Sequence, residues 1–568
     1  MASTGPVSSA QRRAPAALLL ALAALVCFGR VAYAGDLEEI RQRGRLSWGA
    51  DQEGGGPYVY PREDDPRQVT GFEVELAELF AAALGVKAEL AQGNWDKLPD
   101  LLRTGKIDVV LNGYEWSAER ARTMAASMPY YVYGLQLLVR KGDASIASWD
   151  DLGQPSARGD KRRVGVLTGS AAEEHVRRAL GDRVTLVSYD GNTDAMREVE
   201  TEKLDATLQD TPIASFYAPR FPGLRPVGAP VGKGYYVVYA RAGELGLVQA
   251  LDQATVELLA SGKLEALYRK YGLWDEAQSE LFAIARMARF FGVPAAALLG
   301  DGAPPGPAPE GPGPPGDTGT TASAASSAAS AAGASEPAAS SVVRLGERKR
   351  GWEVVRTYAG ILVESAGLTV VLSLLSFPLA IALGLAIAVG RLYGPRLLRA
   401  PLGAYVELLR GTPLMLQLYF IFFFLPELGV RLPAFATAIL GLAVNYSAYE
   451  SEIYRAGLQA VPPGQMEAAL ALGMTRGQAL RRVVVPQAAR IVIPPVVNDF
   501  IALFKDTSVC SVITLVELTK RYSVLSMSTQ ATIELMLMTA VLYLGMSYPL
   551  AVVSRRLEKR LGQRALVT

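Results

Sequence analysis

The chain has 568 residues, half of which are hydrophobic, and it carries a formal net charge of +2. Such a near-neutral chain has no electrostatic basis for binding nucleic acid, and its two widely separated cysteines argue against a disulfide framework or a cysteine metal site. The mean hydropathy of +0.19 is high for a soluble protein, so we expect several domains with the apolar residues concentrated in one of them.

The N-terminus has the pattern of an export signal. Arg12 and Arg13 precede an apolar run over residues 16–28, and residues 32–34, Ala-Tyr-Ala, offer a cleavage site with small residues at its first and third positions. Residues 1–34 are therefore predicted to be a signal peptide, with a retained membrane anchor as the alternative. The region that follows is predicted to be exported.

Residues 36–292 have the pattern of a soluble α/β region. Short apolar runs such as RVGVLTG and IDVVLNGY alternate with helical patterns such as FEVELAELFAAALG. This alternation predicts parallel sheets with helices on their faces. The single histidine, His175, lies on a predicted helix and is expected to be an ordinary surface residue, so we predict no metal ligands and no catalytic residues.

A region of different composition follows. Residues 293–341 are almost wholly proline, glycine, alanine and serine, a composition that cannot form a packed core. We predict a disordered linker over residues 293–345, which as a coil would span on the order of 40 Å root-mean-square.

The C-terminal region, residues 350–568, is the apolar part of the chain. Its third and fourth apolar segments are interrupted by polar residues, whereas the others reach the length that a membrane-spanning helix needs. Arginines and lysines follow the first, third and fifth segments, which places these ends in the cytoplasm and the α/β region outside; Lys520 and Arg521 after the fourth are an exception. The five predicted spans are residues 359–389, 402–425, 433–451, 488–515 and 530–553.

A short polar segment, residues 464–486, separates the third predicted span from the fourth. It contains EAA, a glycine after three more residues, and VxVP after a further nine. Glycine permits a turn between two helices, and proline suits the start of the next helix. This pattern resembles the EAA loop of ABC-importer permeases, which docks in a groove of a cytoplasmic ATPase; an amphipathic helix on the membrane surface is the alternative. The resemblance implies an ATPase-coupling role for Glu467, Ala468, Ala469, Gly473 and Pro486.

The rest of the membrane region resembles the polar amino-acid uptake permeases of the ABC importers. The stretches YVELLRGTPLMLQLYFIFF, NYSAYESEIYRAGLQAVPPGQ and NDFIALFKDTSVCSVI are similar to that subfamily's signatures. Five spans are too few for an importer, so a homodimer or a pair with a sister permease is expected. The chain has no GxxxxGK[ST] phosphate loop. We therefore expect ATP to be used by a separate dimer of ATPase subunits and no cofactor to bind this chain.

The α/β region resembles the periplasmic amino-acid-binding proteins, in which two lobes joined by a two-strand hinge close on a ligand. In GKIDVVLNGYEWSAERAR the resemblance assigns to Arg120 the clamping of the ligand's α-carboxylate, which a planar guanidinium can bind through two donors; the alternative is an arginine on a helix surface. It assigns to Asp210 the ligand's ammonium group and to Trp95 stacking on the ligand, although a core tryptophan is the alternative. The candidate substrate-binding residues are Asp51, Trp95, Asn112, Gly113, Glu115, Arg120, Leu167, Gly169, Ser170 and Asp210.

One candidate departs from the family pattern. Glu115 stands where the family has a small hydroxyl residue that helps to hold the ligand carboxylate, which a glutamate would repel. Glu115 is expected either to turn toward the ligand's cationic group or to pair with Arg120 in the empty site. With Asp51 and Asp210 it makes the cleft mildly acidic, which favours a basic or neutral polar amino acid.

Together these features predict a two-lobed α/β periplasmic-binding-protein fold followed by an all-α, five-helix ABC importer transmembrane domain. The predicted function is capture of an amino acid outside the bacterial cytoplasmic membrane and its passage through the membrane part of the same multi-pass chain. The alternatives are a ligand-gated channel with a two-lobed amino-acid-binding domain and an extracytoplasmic enzyme on the same fold.

Overall fold

The computed structural model describes residues 37–156, 159–291, 295–299 and 349–565. The predicted signal peptide lies outside these residues, as does all of the predicted linker except residues 295–299, whose first four residues form a short helical turn, Ala295–Leu298.

The N-terminal part is an α/β domain built around one mixed sheet. Eight strands form this sheet in the order β4-β1-β5-β10-β6-β9-β7-β8, and β2 and β3 form a separate hairpin-like pair. The strands are β1 Arg45–Ala50, β2 Tyr60–Pro61, β3 Val69–Thr70, β4 Lys87–Gln92, β5 Val109–Val110, β6 Met124–Arg140, β7 Arg163–Leu167, β8 Thr185–Tyr189, β9 Ala206–Asp210 and β10 Leu224–Arg241.

Helices cover the two faces of the sheet. Strands such as β7 and β9 are almost continuously buried because helices pack on both sides of a parallel sheet. The helices are Leu37–Arg43, Phe72–Leu84, Leu98–Arg103, Ala118–Thr123, Ala171–Ala179, Asn192–Glu200, Thr211–Tyr217, Leu245–Ala260, Lys263–Lys270 and Glu280–Phe291.

Two long strands join the halves of this domain. β6 has 17 residues and β10 has 18, and they pair antiparallel from Leu224–Arg140 at one end to Arg241–Met124 at the other. Strands β4, β1 and β5 lie on one side of this pair, and β9, β7 and β8 lie on the other. The pairing is irregular between Val227 and Tyr239. The result is two lobes connected by a two-stranded crossing, as predicted.

The C-terminal part that the structure describes is all helical, which together with the α/β domain confirms the predicted fold class. Helices of 22 residues or more overlap the first, third, fourth and fifth predicted spans. The second, residues 402–425, is not one long helix, because it falls on two shorter helices that meet at a sharp bend. The helices are Trp352–Tyr393, Arg396–Arg410, Leu414–Tyr419, Ala434–Gln459, Pro463–Ala471, Arg476–Ala479, Val485–Asp506, Leu518–Thr529 and Thr532–Ala565.

By length and composition, two helices of the described part are apolar enough to cross a membrane, namely Trp352–Tyr393 and residues 532–557. A third qualifies if Arg396–Arg410 and the segment 414–428, which meet at a bend of 111°, form one span. The helices at the third and fourth predicted spans carry buried or paired polar groups. Glu452, for example, accepts hydrogen bonds from Arg455 Nη2 at 2.6 Å and from Arg391.

Candidate functional site

A cavity lies between the two lobes, at the ends of β1, β7 and β9. It has an empty volume of about 520 Å³, part of it open to solvent. Eight of the ten predicted binding residues line it, all except Arg120 and Gly169. The lining residues are Asp51, Gly54, Tyr58, Trp95, Asn112, Gly113 and Glu115 from the first lobe and Leu167, Ser170, Ala172, Asp190, Asn192, Leu208, Gln209, Asp210 and Ile213 from the second.

Asp51 lies where β1 ends, and its carboxylate is already bound by neighbouring groups. Its Oδ1 accepts hydrogen bonds from Gln92 Nε2 at 2.8 Å and from the Glu53 N–H at 3.0 Å. Its Oδ2 accepts from the Trp95 N–H at 2.9 Å. Burial raises the pKa of Asp51 to about 6, although the nearby Lys520 ammonium acts in the opposite direction. Asp51 thus joins the loop after β1 to the segment that follows β4 in the first lobe.

Trp95 forms part of an aromatic wall. Its indole Nε1 donates to the Asn112 carbonyl at 2.9 Å, and its ring stacks on Tyr114 with the ring centroids 4.5 Å apart. The Arg120 guanidinium lies 4.9 Å from the Tyr114 ring centroid and 5.4 Å from that of Trp95. The wall therefore supports the arginine as well as one side of the cavity.

Glu115 connects the two lobes. Its Oε2 accepts from Arg120 Nη1 at 2.8 Å, and its Oε1 accepts from the Ala171 N–H at 2.9 Å. Ala171 begins a helix of the second lobe, and Arg120 Nη2 also donates to the Gly169 carbonyl at 3.1 Å. Of the two arrangements expected for Glu115, the structure has the pairing with Arg120. The arginine consequently lies behind the glutamate rather than on the cavity surface.

Asp210 ends β9 on the opposite wall. Its Oδ2 accepts a hydrogen bond from the Tyr236 hydroxyl of the crossing strand β10. Burial, with a smaller contribution from the Glu115 carboxylate, raises the pKa of Asp210 to about 8. The neighbouring Gln209 also lines the cavity, and its Oε1 is buried without a hydrogen-bond partner. The sequence offered one signal for Gln209, its position directly before Asp210 in DATLQD.

A helix of the membrane domain lies against both lobes. Lys520, at the start of Leu518–Thr529, donates to Glu53 Oε2 at 2.6 Å and to Asn94 Oδ1 at 2.7 Å in the first lobe. Near the other end of that helix, the Met527 carbonyl accepts from Thr193 Oγ1 at 3.4 Å in the second lobe. The unexpected positive charge after the fourth predicted span therefore has its partner in the α/β domain.

The segment 464–486 forms two helices joined by a turn, as its sequence predicts. Glu467 and Ala468 are exposed on the helix Pro463–Ala471, whereas Ala469 is buried. Gly473 has a φ of +82°, a conformation that favours glycine. Thr475 caps the second helix, which continues through one π-helical turn into the helix that contains Pro486.

Comparisons with known proteins agree with both parts of the chain. Residues 49–273 match the model of bacterial extracellular solute-binding proteins, family 3, and residues 380–563 match that of the binding-protein-dependent transport system inner membrane component. The chain is 37% identical over 214 residues to the L-cystine transport system permease protein TcyB of Bacillus subtilis, which covers 37% of this chain and 92% of that protein.

The chain is also similar to two other known proteins. The chain is 32% identical over 212 residues to the glutamine transport system permease protein GlnP of Escherichia coli, covering 37% of this chain and 97% of that protein. A crystal structure of the ancestral amino acid-binding protein AncCDT-1 is 29% identical and covers 41% of this chain and 98% of that one, with a TM-score of 0.38.

These findings define a solute-binding protein joined to a membrane permease. The chain belongs to the amino-acid ABC importers, in which it combines the substrate-binding domain and the inner-membrane permease domain. Both families are transport components rather than enzymes. Nothing in the comparisons supports the two alternatives, a ligand-gated channel or an extracytoplasmic enzyme.

Proposed function

We propose that the cleft between the lobes captures a basic or neutral polar amino acid, or an amine derived from one, for transport by the membrane helices of the same chain. The observation that carries this proposal is the charge of the cavity wall. Asp51, Glu115, Asp190 and Asp210 line the cavity, and its lining includes no lysine, arginine or histidine. A buried cation needs anionic or strongly polar partners, and the cleft offers several.

Titration calorimetry of the full-length chain in lipid nanodiscs tests this proposal. The twenty common amino acids and their decarboxylated forms are the ligands. We expect tight binding of basic or neutral members and no binding of aspartate or glutamate. Tight binding of an acidic amino acid would contradict the proposal.

The affinity for a cationic cargo should depend on pH. Asp210 has a pKa of about 8 in the empty cleft, and a bound cation favours its ionised form. Binding therefore releases a proton below pH 8, and the affinity should fall by up to about tenfold for each pH unit from 8 down to 6. Calorimetry in buffers of different ionisation enthalpy measures the released proton directly. An affinity that is constant over this range would show that Asp210 does not face the cargo.

We further propose that the α/β domain lies outside the membrane and delivers its cargo while docked on the permease. The charge pattern of the other loops favours an outer position for the helix Leu518–Thr529, although its own Lys520 and Arg521 are the exception to that pattern, and this is the helix that contacts both lobes. Its two ends touch different lobes, so the contact depends on the angle between them. The permease can therefore distinguish a closed domain from an open one.

Replacing Lys520 by methionine should weaken this docking. The change leaves Glu53, whose side chain is only 12% exposed, without its cation, and breaking a mostly buried pair is costly. The check is a disulfide between Gly191→Cys and Met527→Cys, whose sites are in contact. We expect Lys520→Met to lower the crosslinking yield several-fold and Lys263→Met, an exposed residue far from the contact, to have no effect. An unchanged yield in Lys520→Met would contradict the docking proposal.

Energy is proposed to come from a separate dimer of cytoplasmic ATPase subunits that holds the helix Pro463–Ala471. The exposed Glu467 and Ala468 and the largely exposed Leu472 provide a contact surface on this side of the chain. Two copies of the membrane domain, or one copy and a sister permease, would complete the pathway.

A further inference from the structure

The donors that the family resemblance reserves for the cargo's α-carboxylate are already occupied by the chain itself. Arg120 Nη1 donates both to Glu115 Oε2 and to the Glu115 carbonyl, each at 2.8 Å. The Ala171 N–H donates to Glu115 Oε1 at 2.9 Å, and the Gly169 N–H donates to Glu173 Oε2 at 2.6 Å. At the start of the helix Ala171–Ala179, therefore, the carboxylates of Glu115 and Glu173 already accept from the backbone N–H groups that would otherwise bind an anion.

The Glu115 carboxylate would also be difficult for a cargo carboxylate to displace. Its side chain is only 4% exposed, and it bridges Arg120 in one lobe to Ala171 in the other. A cargo carboxylate at the same place would either meet the buried Glu115 carboxylate directly or drive it from both of its partners. Two neighbouring carboxylates repel one another, and a displaced buried carboxylate loses its compensating charge.

Two acceptors lie side by side in the second-lobe wall of the cavity. Gln209 Oε1 is buried without a hydrogen-bond partner and lies beside Asp210, whose carboxylate accepts from the Tyr236 hydroxyl. Both residues line the cavity opposite the aromatic face of Trp95. An unsatisfied buried acceptor beside a carboxylate suits a ligand that brings N–H donors and positive charge.

We propose that Glu115 takes the place of the cargo's own α-carboxylate, so that this receptor selects cations that lack a free α-carboxylate. The chemical class is the amines and guanidines that remain when a basic amino acid loses its carboxyl group. This inference rests on the proposed function in one respect, that the cleft between the lobes is where the cargo binds. The inference adds that the cleft recognises the cationic part of an amino acid and not its α-carboxylate.

The test compares three pairs of ligands that differ only in the α-carboxyl group: lysine with cadaverine, arginine with agmatine, and ornithine with putrescine. Calorimetry of the full-length chain in nanodiscs should show at least one amine binding at least tenfold more tightly than its amino acid. Tighter binding of the amino acid in every pair would overturn the inference. That result would leave the proposed function intact. No binding of any of the six ligands would also overturn the inference, and the titration with the twenty amino acids would then decide the proposed function.

A variant makes the test independent of which amine is preferred. Glu115→Ser removes the internal carboxylate and frees Arg120 and the Ala171 N–H. We expect it to reverse the ratio by at least tenfold, with weaker binding of the amine and stronger binding of the amino acid. Glu115→Gln, which keeps the size of the side chain but not its charge, should lie between the two. A ratio unchanged in both variants would overturn the inference, and if neither variant folds, the wild-type ratios decide.

Discussion

Replacing Asp210 by asparagine should lower the affinity of the full-length chain for its cargo by between about 10²-fold and several times 10³-fold. The carboxylate is the proposed partner of the cargo's cationic group, and removing one member of a buried ion pair costs about 3–5 kcal/mol. Asparagine has nearly the same shape and can still accept a hydrogen bond from Tyr236. The loss would therefore report the charge alone. Calorimetric titration at pH 9, where Asp210 is ionised in the wild-type chain, gives the full difference.

The thermal stability of the empty variant provides the control. Because the pKa of Asp210 is raised to about 8, its ionisation costs folding free energy, and the contribution of the protonated form to stability is lost as the pH rises through 8. Asp210→Asn should therefore melt at a higher temperature than the wild type at pH 9. Asp182→Asn lies in an exposed turn of the same lobe. It should leave the melting temperature unchanged and the affinity within about twofold of the wild-type value. A variant that melts higher but still binds cargo tightly would show that Asp210 is not the cation's partner.

Reversing the charge of Glu467 should abolish ATP-driven uptake, with a loss of at least about tenfold, while cargo binding stays unchanged. Glu467 is exposed on the helix Pro463–Ala471, so arginine can be accommodated there without disturbing the chain's own packing. At a protein interface, however, a reversed charge meets partners selected for the opposite sign. The measurement is uptake of radiolabelled cargo into proteoliposomes that contain the chain and its ATPase, with calorimetric affinity measured alongside.

Gln465→Arg supplies the matched control, since Gln465 lies exposed two residues earlier on the same helix and points away from Glu467. It should transport at nearly the wild-type rate. If both variants transport normally, the helix lies on the membrane surface rather than against an ATPase. If both fail equally, the effect comes from positive charge on this helix and not from Glu467.

Local patterns predicted much of the architecture, and the family resemblance predicted the two-strand hinge, but the length of the crossing strands was not predicted. The alternation of short apolar runs with helical patterns predicted the α/β domain, and four of the five predicted membrane spans overlap helices of 22 residues or more. The strands β6 and β10, with 17 and 18 residues, are longer than the short apolar runs from which strands were predicted. Pro129 and Gly134 in β6, and the glycines before Tyr235 in β10, are residues that usually end a strand. Here the two strands pair with each other, and both therefore continue past these residues.

The candidate site likewise has residues whose positions were predicted and contacts that were not. The family resemblance predicted Asp51, Trp95 and Asp210 at one cleft, and all three line the cavity, each at the end of a strand or shortly after it. The environment of Arg120 does not follow from its local sequence, because Glu115 is held by Ala171, which lies 56 residues farther along the chain. The role of Lys520 depends on an even more distant partner, Glu53. Contacts of this kind depend on how separate elements pack.

The crossing strands also determine how the receptor part should denature. β6 and β10 each contribute hydrogen bonds to β5 or β9 as well as to one another, so one continuous sheet runs through both lobes. A lobe that melted by itself would expose the edge of this sheet and break the backbone ladder of its neighbour. The two lobes should therefore lose their structure in a single cooperative transition.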